Sequence, residues 1–177
     1  MPTFCAKCGH TLLPPETGTV DYPCGLEGVQ LIGVRIQRCS ACDNPSYRVP
    51  QMSELHRLLA LAVVQLPRPL KGEEIHFLRK YLGKTSKTLG AMLGVGEVAV
   101  SRWENGHTQM RPPTERLLRL IVVINPALEA AQDGFSEPGS VEAANQILNP
   151  APDSSAANTA IGPVHYDDHW RLPRAAS

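Results

Sequence analysis

Three features of the sequence predict the architecture. Two Cys-x-x-Cys pairs stand thirty residues apart, four short amphipathic segments run through 71–124, and an acidic stretch rich in Ala, Pro, Ser and Asp follows. Together they predict a small α+β zinc-ribbon-like module over 1–50. A linker helix over 51–70 joins it to an all-α helix-turn-helix domain over 71–124. A largely disordered acidic C-terminal tail occupies 125–177.

Composition agrees with small modules rather than one large core. The 177 residues include 14 Gly, 16 Pro and only nine aromatics. The longest apolar stretch, 58–64, is far short of the roughly 20 residues that span a membrane. The N-terminus lacks a basic region followed by an apolar core, so no secretory leader is expected. The expected location is cytoplasmic, where thiols stay reduced and paired cysteines serve as metal ligands or catalysts.

In the first module, Cys5, Cys8, Cys39 and Cys42 form two turns that each aim two sulfurs at one point. Two such turns complete a tetrahedral site, here expected to hold one structural zinc ion per chain. No coordination position is left open for substrate. Cys24 is left over and is expected to be a small buried or half-buried apolar residue. His10 reads as a polar turn residue rather than a ligand. Between the cysteine pairs, Ile32, Val34 and Ile36 alternate with Gly33, Arg35 and Gln37, the period of a half-buried strand. A short strand is expected at 46–49.

Ser53 is placed to cap a connecting helix to about Gln65, with Leu55, Leu58, Leu59 and Ala62 at helical spacing; Pro67 and Pro69 end it. In the third segment, Ile75, Leu78 and Leu82 share one helical face. After Gly83, Thr85 caps a short helix with Leu89, Met92 and Leu93 inward. The turn 94–96 leads to a helix over 97–104 with Val100 and Trp103 inward, followed by Asn105-Gly106 as a left-handed cap. A loop over 108–113 precedes a last helix from Thr114, with Leu117, Leu120, Ile121 and Ile124 on its face.

Two short helices joined by a glycine-containing turn, between a preceding and a following helix, form a helix-turn-helix. Its second helix would enter the major groove of double-stranded DNA, leaving Glu97, Val98, Ser101 and Arg102 outward. Arg102 can donate two parallel hydrogen bonds to guanine, Val98 can touch a thymine methyl, and Glu97 can accept from cytosine or complement the helix dipole. A solvated Arg102, or one paired with Glu104, is the plain alternative. Thr85, Ser86 and Lys87 begin the preceding helix, where phosphate contact is expected; Lys84 and the loop 107–109 lie nearby.

The charge division fits an anionic partner for this segment. Residues 71–124 carry net +4, residues 125–177 net −5 and residues 1–70 net +1. Within the tail, Ala127–Ala131 and Val141–Leu148 could form only marginal helices. The run His165-Tyr166-Asp167-Asp168-His169-Trp170 is a polar–aromatic patch without an assigned role.

Cys5-x-x-Cys8, Cys39-x-x-Cys42, Ile75-x-x-Leu78-Arg79, Leu93-Gly94-Val95 and Val100-Ser101-Arg102-Trp103-Glu104-Asn105-Gly106 together resemble the MqsA-type antitoxins, YgiT-type zinc-finger proteins with a Cro/CI-like helix-turn-helix. The run 112–120 looks like the family's final helix, so the resemblance covers roughly 4–124. It implies an N-terminal zinc module that grips a ribonuclease toxin. It also implies a helix-turn-helix that forms a homodimer and represses its own operon at a palindrome. The four cysteines would be the zinc ligands and Arg102 a base-reading arginine, with no catalytic residue. Val98 departs from the polar residue of the best-known member. Gly90 and Gly96 replace the usual alanine and serine, weakening the second helix by about 1 kcal/mol for the glycine. The competing functions are a stand-alone helix-turn-helix regulator and a thiol redox enzyme. The second is disfavoured by the absence of a βαβ pattern, and a nuclease by the absence of a His/Asp/Glu cluster.

Overall fold

The computed structural model describes residues 4–132, 161 and 163–172. The chain divides into two compact units. One comprises 1–23, 28–55 and 162–177; the other comprises 24–27 and 56–161.

Among the described residues, the first unit holds a five-stranded sheet. Strands β1 (Glu16–Asp21) and β2 (Gln30–Arg38) pair antiparallel, and β3 (Pro45–Tyr47) pairs antiparallel with the far end of β2. The register between β1 and β2 shifts after Gly18, where Gly18 faces Val34 and Thr19 faces Ile32. The residue skipped on β2 is Gly33, which adopts φ +84°. It is a β-bulge, and it reverses the side-chain alternation that Ile32, Val34 and Ile36 suggested. Leu31, Val34 and Ile36 are buried, whereas Ile32 is only partly covered.

Two further strands come from the far end of the chain. Strand β4 (Val164–Tyr166) pairs parallel with β2, matching Leu31 to Val164 and Ile32 to His165, and β5 (Trp170–Arg171) folds back on β4. Val164 is fully buried and Trp170 is 4% exposed. The Trp170 indole N–H donates to the Pro50 carbonyl at 2.9 Å, and its ring lies 4.8 Å from that of Tyr166. The expectation of a disordered tail over 125–177 is therefore corrected for 163–172. Average polarity suggested a segment unable to order, but a few large apolar side chains suffice when a sheet edge is waiting. The marginal helix expected at 141–148 lies outside the described residues.

Among the described residues, five helices lie between β3 and β4: α1 (Met52–Val64), α2 (Gly72–Tyr81), α3 (Ser86–Met92), α4 (Glu97–Glu104) and α5 (Pro112–Gln132). α1 begins at Met52, so Ser53 lies in its first turn rather than at the cap. Its buried stripe is Leu55, Leu59, Ala60, Val63 and Val64; Leu58 and Ala62 are only partly covered. α5 begins two residues before Thr114, with Pro112 at the first helical position, where a missing N–H costs nothing. It continues past Asn125 to Gln132, into the stretch expected to be tail.

Of the stretch expected to be a linker, 51–70, residues 56–70 belong to the second unit. Arg119 of α5 is 8% exposed, and its guanidinium donates to the carbonyls of Val64 at 2.7 Å, Leu66 at 2.8 Å and Arg68 at 2.6 Å. Glu115 completes the set through an ion pair at 2.7 Å. Arg68 in turn pairs with Glu74 at 2.6 Å, and Glu74 accepts the backbone N–H of Lys71 at 2.7 Å at the start of α2. The core of this unit collects Ile75, Leu78, Leu89, Val100, Trp103, Leu118 and Val122.

Candidate metal centre and helix-turn-helix surface

The four cysteines sit on two matching turns. In the first, Cys5 N–H donates to the His10 carbonyl at 2.8 Å and Gly9 N–H to the Cys5 carbonyl at 2.9 Å. In the second, Cys39 N–H donates to the Asn44 carbonyl at 3.2 Å and Asp43 N–H to the Cys39 carbonyl at 3.1 Å. Gly9 and Asp43 occupy the same left-handed position, at φ +73° and +52°. Each turn thereby points backbone amides at sulfur: Lys7 N–H lies 3.4 Å from Cys5 Sγ and Ala41 N–H 3.4 Å from Cys39 Sγ. The turns are held side by side by Leu13 N–H to the Arg38 carbonyl and Ser40 N–H to the Thr11 carbonyl, at 2.8 and 3.3 Å. Leu12 is buried with Cys5 and Cys39.

The sulfurs all lie within 4.8 Å of one another. Cys8 Sγ is 3.4 Å from both Cys39 Sγ and Cys42 Sγ, and Cys5 Sγ is 3.8 Å from Cys42 Sγ. A tetrahedral ion bonded to sulfur at about 2.3 Å would require sulfur–sulfur separations of about 3.8 Å, so the donor set fits a metal ion with little movement. The electrostatics favour thiolates on the buried pair. Backbone N–H groups of Ala41 and Cys42 lower the Cys39 thiol to about 6, and those of Lys7 and Cys8 lower Cys5. Cys8 accepts from the His10 amide, which lowers it, but sharing protons with Cys39 and Cys42 prevails and holds it up at about 12. Such crowded sulfurs cannot all ionise without a cation among them.

Cys24 stands apart from this cluster. It is half-buried, and burial pushes its thiol up. His10 is exposed, with Nδ1 3.2 Å from the Cys8 carbonyl oxygen, and it is not among the clustered ligands.

In the second unit, α4 covers 97–104 with Val100 and Trp103 buried. Glu97, Val98, Ser101 and Arg102 are exposed, Val98 to 63%. The helix stops at a Schellman motif: His107 N–H reaches the Arg102 carbonyl at 2.9 Å, Gly106 N–H the Trp103 carbonyl at 3.0 Å, and Gly106 takes φ +69°. The same motif ends α2 at Gly83 and α3 at Gly94. Gly90 has a positive reason to be glycine: a Cβ there would press on the Val95 carbonyl oxygen inside the turn between α3 and α4.

Glu104, the last residue of α4, pairs with Arg79 of α2 through Nε at 2.5 Å and Nη2 at 2.9 Å. His76 adds a contact at 3.2 Å, and Arg79 Nη1 donates to the Lys84 carbonyl at 3.2 Å. Burial pushes the Glu104 carboxyl up, but hydrogen bonds from Arg79 and His76 outweigh this and hold it below its ordinary value. Glu104 is therefore committed to α2. The Arg102 guanidinium has no hydrogen-bonding or ionic partner among the described residues.

At the start of α3, Thr85 Oγ1 accepts from the Thr88 N–H at 3.1 Å, as a helix cap does. Thr85, Lys87 and the loop 107–109 are exposed, and Ser86 and Lys84 are half-covered. The Arg79–Glu104 pair had no sequence reading as a pair. The available signal was an Arg and a Glu on neighbouring helices, each beside apolar inward positions.

Four clustered cysteines that could hold a metal ion on a small sheet, carried with a helical unit, define a protein of two modules. Residues 3–129 match the family model described as the antitoxin component of a bacterial toxin–antitoxin system, MqsA, and the chain belongs to that family. No curated protein matches the chain. Among the described residues, no helix is long and apolar enough to cross a membrane.

Proposed function

We propose that the protein is a DNA-binding antitoxin that represses its own operon, with a structural zinc ion in the module that meets its toxin. The reading rests above all on the α4 surface. Glu97, Val98, Ser101 and Arg102 face outward from a helix whose other side is anchored by Val100, Trp103 and Glu104, and Arg102 has no partner among the described residues. Such a helix, anchored on one side and presenting an exposed guanidinium on the other, suits a major groove, where Arg102 donates to guanine O6 and N7. Val98 supplies apolar contact, Ser101 and Glu97 flank it, and Thr85, Ser86 and Lys87 contact phosphate without reading sequence. A homodimer would read a palindromic operator, each half-site taking one α4. The protein acts in the cytoplasm, where reduced thiols can hold zinc.

Zinc is the ion that four closely set thiolates favour. It would link the two cysteine turns and supply folding energy to a segment with little core of its own.

Selection from a random double-stranded DNA pool tests the DNA reading. The wild-type chain should enrich a palindrome, and Arg102→Ala should lose preference for one guanine per half-site. Recovery of no motif by the wild type would overturn it. Co-purification with the product of the adjacent open reading frame tests the toxin reading separately.

A further inference from the structure

Strand β2 is unusual along the edge that receives β4. Gly33 sits there with φ +84°, and a Cβ at that position would run into the Tyr166 carbonyl oxygen. The bulge thus opens room for an incoming backbone at a point where no other residue would fit. Beside it, Leu31 is fully buried, and the Pro50 carbonyl accepts the indole N–H of Trp170. The surface is built from residues of the N-terminal module and shaped for a strand.

What fills it is held by little. The ladder between β2 and β4 has two residue pairs, against six between β1 and β2. The ion pairs here are solvent-facing: His169 with Glu54 at 3.1 Å joins the hairpin to the start of α1, and Arg171 with Asp167 at 3.3 Å lies within the hairpin itself. Exposed pairs of this kind contribute little. The binding is concentrated in Val164 and Trp170, an aliphatic and an aromatic anchor in a prepared site, which is how peptides add to sheet edges.

We infer that the β2 edge around Leu31–Gly33 is a strand-accepting docking surface, and that residues 163–172 are its resident, exchangeable ligand. The hairpin closes on the edge in the free chain and leaves it while β1, β2 and β3 stay folded. An extended segment presenting an aliphatic residue and a tryptophan at the same spacing is the kind of ligand that competes for it. The inference stands whether or not the module binds a toxin.

Two measurements on the full chain test it. In amide exchange on the wild-type protein, the protected amides of 164–171 should exchange at least about tenfold faster than those of 34–38, as expected for a local opening. Exchange of both sets at one common rate would make the hairpin a permanent part of the sheet and overturn the inference. In fluorescence anisotropy, a labelled peptide of residues 163–172 should bind full-length Trp170→Ala. It should bind wild type at least about tenfold more weakly, because the tethered hairpin competes at an effective concentration on the order of millimolar. The same peptide carrying Trp170→Ala should bind neither. Equal binding to both proteins, or none to a Trp170→Ala chain that retains wild-type zinc content and thermal unfolding, would also overturn it. If Trp170→Ala fails to fold, the exchange measurement on wild type decides alone.

Discussion

Arg79 of α2 and Glu104 of α4 form a two-point ion pair, at 2.5 and 2.9 Å, with both side chains about nine-tenths covered. It ties the outward-facing helix to the body of its unit at the end opposite Glu97. Glu104→Gln should leave the Arg79 guanidinium buried and short of a counter-charge, costing about 3–5 kcal/mol in unfolding free energy. The variant should keep its zinc, since the metal site lies in the other unit.

The same pair sets an acid dependence. Glu104 is held below its ordinary value, so its contribution is fully present above the pKa of the unfolded carboxyl. It is lost as pH falls through the lower, folded value. Denaturant unfolding of wild type should therefore show stability falling through the acid range. Glu104→Gln should be flatter there, and a variant that kept the wild-type slope would remove Glu104 as its source.

The metal centre predicts about one zinc per chain. Cys39→Ser removes a buried sulfur that accepts an amide N–H and faces Cys8 at 3.4 Å. It should lose zinc and the ordered turns around Leu12, while the helical unit still unfolds cooperatively near its wild-type temperature. Metal analysis and differential scanning calorimetry report the two effects. Protein purified reduced and without chelator that carries no metal would contradict the structural-zinc reading.

Arg102 is exposed and has no hydrogen-bonding or ionic partner among the described residues, so Arg102→Ala should leave stability within about 0.5 kcal/mol of wild type. Its effect should appear on DNA alone, as a loss of about 1–3 kcal/mol at the selected site with nonspecific, salt-dependent binding nearly intact. Titration of the selected palindrome and of an unrelated duplex separates the two terms.

Arg119 donates to three main-chain carbonyls between Val64 and Arg68. Arg119→Met keeps most of the side-chain volume but leaves those acceptors, and Glu115, without their donor. Destabilisation of about 2–4 kcal/mol is expected in urea unfolding. An effect below about 0.5 kcal/mol would mean that the 64–68 segment is held by packing rather than by this guanidinium.

Much of the candidate site was legible because its determinants are local. Cys5 and Cys8 belong to one turn, Cys39 and Cys42 to another, and a Cys-x-x-Cys turn aims both sulfurs the same way wherever it occurs. α4 was equally legible: Val100 and Trp103 are three apart on one face, so Glu97, Val98, Ser101 and Arg102 fall on the other, and Gly106 closes the helix. On α5 the expected inward face of Leu117, Leu120, Ile121 and Ile124 is corrected: Leu118, Val122 and Val123 are buried, while Leu117 and Ile124 are exposed. Other features are non-local or depend on a local exception. Strand β1 has no buried residue to mark its period. Gly33 inverts the alternation on β2, so Leu31 rather than Ile32 goes inside. The Arg79–Glu104 pair joins positions 25 apart.

By itself, then, the sequence determined the two thiol turns and the helix-turn-helix order, with the residues that α4 turns outward. These follow from spacing along a chain whose turn and helix geometry is nearly invariant. Tertiary structure alone decided that 56–70 is a packed part of the helical unit, that Glu104 belongs to Arg79 rather than to Arg102, and that Val164 and Trp170 complete the N-terminal sheet. The reason is physical. A carbonyl awaiting a guanidinium, or a sheet edge awaiting a strand, is defined by groups far apart in the chain, and composition averaged over a polar tail cannot register two anchoring side chains that find such an edge.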